Sequence, residues 1–139
     1  MNMTKIYLLT AGLALLPIAA KAQVHQAQQR TTASAPPAEL GPLAFKSTID
    51  QGKAVLVDVR TPAEFSNGHI AGATNIDWTA DNYQAGFAKL DKDKPVLLYC
   101  HSGGRSEQAL EYLLGRGYQV QHLGGGFAAW RKSGLPVVK

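Results

Sequence analysis

Two apolar runs constrain this chain most: Ala54-Val55-Leu56-Val57-Asp58-Val59 and Pro95-Val96-Leu97-Leu98-Tyr99. Apolar residues follow one another from Ala54 to Val57, where the run meets an acid, and from Pro95 to Tyr99, so each run predicts a strand covered on both faces. Helical segments separate such runs. Leu43 to Ile49 reads as a short helix. Thr61-Pro62-Ala63-Glu64 starts another, with Thr61 as N-cap, Pro62 at the first helical position and Glu64 completing a capping box. Gly68 can stop it. Ala73 to Ile76 is a weaker strand, and Thr79 can cap a helix running to Leu90. Ser106 to Arg116 is helical and Gly117 ends it. Gln119 to Leu123 suits another strand. Gly124 to Gly126 turn the chain into a last helix, Phe127 to Ser133, closed by Gly134 and Pro136. Strands alternating with helices predict an α/β fold: a central, mainly parallel sheet of about four to five strands with helices on both faces.

The chain has 139 residues, enough for one domain. Residues 1–22 read as a signal peptide. Lys5 precedes the apolar stretch Ile6 to Ala20, and Ala20-Lys21-Ala22 offers small residues at alternate positions for cleavage after Ala22. The stretch is short for a membrane span. The expectation is export to the periplasm, with no membrane attachment after cleavage. Residues 23–39 are rich in Gln, Ala, Thr, Ser and Pro and read as a flexible spacer, leaving 40–139 as the domain. The net charge of +4 falls to +2 without Lys5 and Lys21. With no basic run and no aromatic ladder, the sequence gives no case for nucleic acid and none is expected as a partner.

Cys100 is the only cysteine. It stands where the apolar run Pro95 to Tyr99 ends, and in parallel sheets ligands bind beyond the carboxyl ends of strands. His101-Ser102-Gly103-Gly104-Arg105 follow it, then the helix. Free N–H groups at that helix start would face the sulfur and favour a thiolate. A single cysteine forms no internal disulfide, so in an oxidising compartment this thiol is not a staple. It is a buried apolar residue or a nucleophile. Asp58 and Arg60 point the same way along their strand and read as a structural ion pair rather than an acid–base pair. His69 reads as structural, fixing the turn before the second strand. His25 falls in the spacer and His122 on a strand. Trp130, Phe127 and Leu123 read as core. One cysteine and scattered histidines give a metal site no support, and no cofactor is expected.

The segments Leu56-Val57-Asp58-Val59-Arg60, Glu64-Phe65, Gly68-His69-Ile70-Ala71-Gly72-Ala73, Leu98 to Ser106, Leu123 to Trp130 and Gly134-Leu135-Pro136-Val137 occur in one order and spacing. In these the domain resembles a single-domain rhodanese. The resemblance implies the rhodanese fold and a sulfurtransferase in which Cys100 becomes a persulfide. The donor would be a small sulfane compound such as thiosulfate, and the acceptor cyanide or a thiol, including a protein thiol. Backbone N–H groups from His101 to Arg105 could cradle the persulfide, with Gly103 and Gly104 supplying the backbone freedom. Arg105 would recognise an anionic donor, and His101 and Ser102 would border the substrate. Many rhodaneses carry arginine or lysine at the second loop position, where this chain has Ser102.

Two other readings compete. Cysteine phosphatases and arsenate reductases also place a cysteine on a loop ending in Arg-Ser, but with five intervening residues; here there are four. The tighter ring suits one sulfur atom better than a tetrahedral phosphate. The second is a persulfide carrier or binding module serving a dedicated partner. Such modules commonly lack the cysteine.

Overall fold

The computed structural model describes residues 37–139. The expected signal peptide, its cleavage point, His25 and all but the last three spacer residues lie outside the described residues.

Five strands form one sheet: β1 (Glu39–Leu40), β2 (Val55–Asp58), β3 (Thr74–Asn75), β4 (Val96–Tyr99) and β5 (Val120–Leu123). Their spatial order is β1-β5-β4-β2-β3, and every pairing is parallel. Five helices connect them: α1 (Pro42–Asp50), α2 (Pro62–Ser66), α3 (Tyr83–Phe87), α4 (Gly104–Leu114) and α5 (Gly126–Lys132). The α/β sheet expected from the two apolar runs is therefore present. β2 and β4 are the adjacent inner strands.

Side-chain alternation splits the core into two layers. Val96, Leu98 and Cys100 join Val57, Val59, Phe87, Ala109, Leu113 and Val120 on the face covered by α3 and α4. Leu97 and Tyr99 join Leu56, Phe45, Leu123, Phe127 and Trp130 on the face covered by α1 and α5. Trp130, Phe127 and Leu123 are core, as their sequence setting implied. Phe45 meets Trp130 edge-on at 6.4 Å between ring centroids.

Two boundaries differ from expectation. The spacer's last residue, Glu39, is part of β1, and Gln121 Nε2 donates to the Pro37 carbonyl at 2.8 Å. A two-residue edge strand carries no readable period; only its pairing with β5 defines it. Thr79 caps no helix. Its hydroxyl and its N–H both donate to Asp77 Oδ1, at 2.7 and 2.9 Å, so the Asx turn takes the group that would have capped. The helix begins instead after Asn82.

Candidate active site

Cys100 is the residue after β4, and it is 1% exposed. Its neighbours fold into a loop because two backbone hydrogen bonds from α5 hold it from below. Phe127 N donates to the Cys100 carbonyl at 2.8 Å and Ala128 N to the His101 carbonyl at 3.0 Å. Both donors are first-turn N–H groups of α5, which have no partner inside their helix. Gly126 brings that turn close. Its φ is +61°, and a Cβ there would stand 2.6 Å from the carbonyl oxygens of Cys100 and His101. With those carbonyls turned toward α5, the loop N–H groups face the sulfur. Gly103, at φ +114°, is the N-cap residue of α4, and its N–H donates to Cys100 Sγ at 3.0 Å.

Burial pushes the Cys100 thiol up, but the Ser106 hydroxyl and the N–H groups of Ser106, Gly103 and Ser102 outweigh it and hold the thiol below its usual value. This is a nest of fixed donors around one atom. His101 and Ser102 are exposed at the rim, and Gly104 opens α4. Surface cavities of about 290 and 360 Å³ open elsewhere, around Tyr112 and Lys92 and around Asn82 and Lys89. Cys100 lines neither; its site is the cup of N–H donors around the sulfur.

Gly126→Ala should disrupt this cup. A left-handed backbone costs an L-residue about 1–2 kcal/mol, and the overlap with two carbonyls forces a shift costing roughly 1–3 kcal/mol more. Gly117→Ala is the control: φ there is +83°, but a Cβ meets nothing within 4 Å. Urea unfolding should show the larger loss for Gly126→Ala, and equal losses would remove the close-approach argument.

Arg105 stands at the end of the loop with both terminal nitrogens on one carboxylate. Nη1 donates to Glu64 Oε2 and Nη2 to Glu64 Oε1, each at 2.8 Å. The pairing engages two of the five guanidinium N–H donors, so an anionic donor would meet the remaining ones or exchange with Glu64. Glu64 serves two structures at once. Its Oε2 also accepts from Thr61 N at 3.0 Å, closing the capping box of α2. The hydrogen bonds from Arg105 lead in holding its carboxyl at about 2; burial opposes them and Thr61 assists.

A depressed folded-state value stabilises above the ordinary 4.5 and loses that contribution as pH falls toward 2. Glu64→Gln should therefore flatten the loss of stability between pH 5 and 2, measured by urea unfolding at stepped pH. An unchanged slope would remove the pair from acid stability. Because the pair is partly exposed, the effect is modest.

Asp58 and Arg60 form a buried brace. Arg60 Nη2 lies 2.7 Å from Asp58 Oδ2 and also donates to the Gly68 carbonyl at 2.7 Å, while Nε donates to both carboxylate oxygens at 3.0 Å. The guanidinium lies 4.1 Å from the Phe127 ring centroid. The pair thus ties β2 to the turn before β3 and to α5, with the orientation expected from strand alternation. His69 Nδ1 lies 3.0 Å from the Phe65 carbonyl, and the His69 backbone bridges Val138, which makes it structural in that turn. Glu64, Gly126, Ser106 and His122 were not singled out for the site by sequence. For Ser106 the available signal was its place in the first turn of the helix beyond the loop.

The family described as the rhodanese-like domain matches residues 42–133. A sulfurtransferase of Allochromatium vinosum is 41% identical over 90 residues, covering 64% of this chain and 82% of that protein. The thiosulfate sulfurtransferase GlpE of Pseudomonas entomophila is 40% identical over 82 residues, covering 58% and 72%. Among solved structures, a rhodanese-related protein from Thermoplasma volcanium superposes with a TM-score of 0.67 at 28% identity, covering 73% of this chain and 98% of that one.

Proposed function

The chain belongs to the rhodanese-like family, and from that premise we propose that it transfers sulfane sulfur through a persulfide on Cys100. The observation that carries this is the single sulfur sitting among fixed N–H donors at the end of β4. The relatives named as sulfurtransferases support it.

The Cys100 thiolate attacks the outer sulfur of thiosulfate. The new S–S bond forms as the old one breaks, and sulfite leaves with the electron pair. The product, Cys100–S–S⁻, keeps one negative charge. A cyanide ion or thiolate then attacks the outer sulfur, and the Cys100 thiolate departs with the bonding pair. Nothing is needed beyond donor and acceptor. The loop N–H groups are in place before either step, so charge on sulfur is stabilised without rearrangement.

The phosphatase reading is disfavoured by loop length, since four residues rather than five separate Cys100 from Arg105. The deciding experiment offers the purified protein thiosulfate with cyanide and, separately, an aryl phosphate. Thiocyanate should form and phosphate should not. Phosphate release without thiocyanate would overturn the reading. Arg105→Ala should raise KM for thiosulfate several-fold with kcat less affected; an unchanged KM would remove Arg105 from donor recognition.

A further inference from the structure

The cavity of about 290 Å³ lies at the opposite end of the sheet from Cys100. Lys92 and Arg116, which border it, come shortly before the paired strands β4 and β5, whereas Cys100 follows β4. The helix α4 runs from one place to the other, and its 11 residues span about 16 Å. Phe87 and Leu113, both buried, give the cavity an apolar floor. Tyr112 and Tyr118 add ring walls. Tyr112 packs on Phe87 at 5.9 Å between ring centroids, and the Tyr118 hydroxyl donates to the Phe87 carbonyl at 3.2 Å.

Two cations stand against those rings. Arg116 Cζ lies 3.5 Å from the Tyr112 ring centroid, and Lys92 Nζ lies 5.3 Å from that of Tyr118. Both are tied down. Arg116 Nη1 donates to the Tyr112 carbonyl at 3.0 Å, one of the last of α4, which lack a partner inside the helix. Lys92 Nζ donates to the Arg116 carbonyl at 3.0 Å. Each contact uses one N–H, so most donors on both side chains are left over. Among the described residues neither cation is paired with a carboxylate. Asp91, next to Lys92, accepts from the Asp93 N–H at 2.9 Å. Cations already held in place lose less freedom when a ligand arrives. We propose that this cavity is a second ligand site, one that takes a small organic anion with a flat apolar body. The body lies on Phe87, Leu113 and the tyrosine rings, and the anionic head meets Lys92 and Arg116. An inorganic anion would leave the apolar floor in water, and a neutral ring would leave the cations unmatched. The site is separate from Cys100 and independent of sulfur transfer.

The test titrates naphthalene-2-sulfonate into the whole protein and follows backbone amide shifts by NMR. The amides of Ala88, Leu113 and Tyr118, which line the cavity, should move together and saturate. The expected Kd is on the order of 1 mM, the scale for so small a ligand. Lys92→Gln and Arg116→Gln should each weaken binding about five- to tenfold, as the loss of a hydrogen bond to a charged group does. Both positions are exposed, so the variants should keep the wild-type spectrum away from the cavity. Lys94→Gln removes an exposed cation that does not line the cavity and should leave Kd unchanged. Sulfate and 2-naphthol, the charge and the body taken singly, should not saturate in the same range. Shifts centred on His101 to Arg105 instead of the cavity would overturn the proposal. So would a Kd untouched by Lys92→Gln and Arg116→Gln, which would leave those cations as caps for the end of α4. Equal weakening by Lys94→Gln would replace the site with diffuse charge, and equal binding of sulfate or 2-naphthol would remove the organic anion as its ligand.

Discussion

Cys100→Ser is expected to take up no sulfur from thiosulfate and to form thiocyanate at least about 10³-fold more slowly, the scale on which removal of a nucleophile acts. The hydroxyl is too weak a nucleophile toward sulfane sulfur, and no second thiol in the chain can replace it. The fold should survive. Serine is of similar size, and its oxygen would meet the same N–H of Gly103 that now reaches the sulfur. Intact mass after thiosulfate treatment separates the outcomes. The wild-type protein should gain one sulfur atom, removed again by cyanide, and the variant none. A wild-type protein that folds and gains nothing would leave a binding module as the better reading. Sulfur on the variant would relocate the chemistry away from Cys100.

The features that sequence carried to the site are local ones. Period-two alternation through Val96, Leu98 and Cys100 aligns the thiol with one core layer, and loop composition after it is a statement about neighbouring residues. The capping box of Thr61 and Glu64 spans four residues and was equally readable. What escaped depends on distance along the chain. Glu64 and Arg105 lie 41 positions apart, and only the path of α2 beside the loop brings them together. Glu39 and His122 meet because β1 pairs with β5, a register that no local pattern encodes. Gly126 looked like a turn residue. Its demanding neighbours, the carbonyls of Cys100 and His101, emerge only when α5 packs under the loop. The nucleophile was therefore legible, whereas the groups that tune it are tertiary.

That division bears on where substitutions should hurt most, and Arg60→Met is expected to have the largest effect on stability. Asp58 is 0% exposed and Arg60 is 3% exposed. Removing the guanidinium strands a buried carboxylate and takes the donor from the Gly68 carbonyl. Breaking one side of such a pair costs about 3–5 kcal/mol. For a domain of this size each kcal/mol moves Tm by roughly 4–8 °C, so a fall on the order of 20 °C is expected. The double variant Asp58→Leu with Arg60→Met removes the charge along with its partner, and it should recover a large part of the loss. Urea unfolding of the wild type, Arg60→Met and the double variant measures this. The argument fails if the double variant is the least stable of the three, because the cost would then come from the pair's geometry rather than from an uncompensated charge. Arg60→Met should also slow sulfur transfer in the fraction that remains folded. The guanidinium packs against Phe127, whose N–H holds the Cys100 carbonyl in place. A stability defect with kcat unchanged would show that the brace supports the sheet alone and leaves the cup around Cys100 undisturbed.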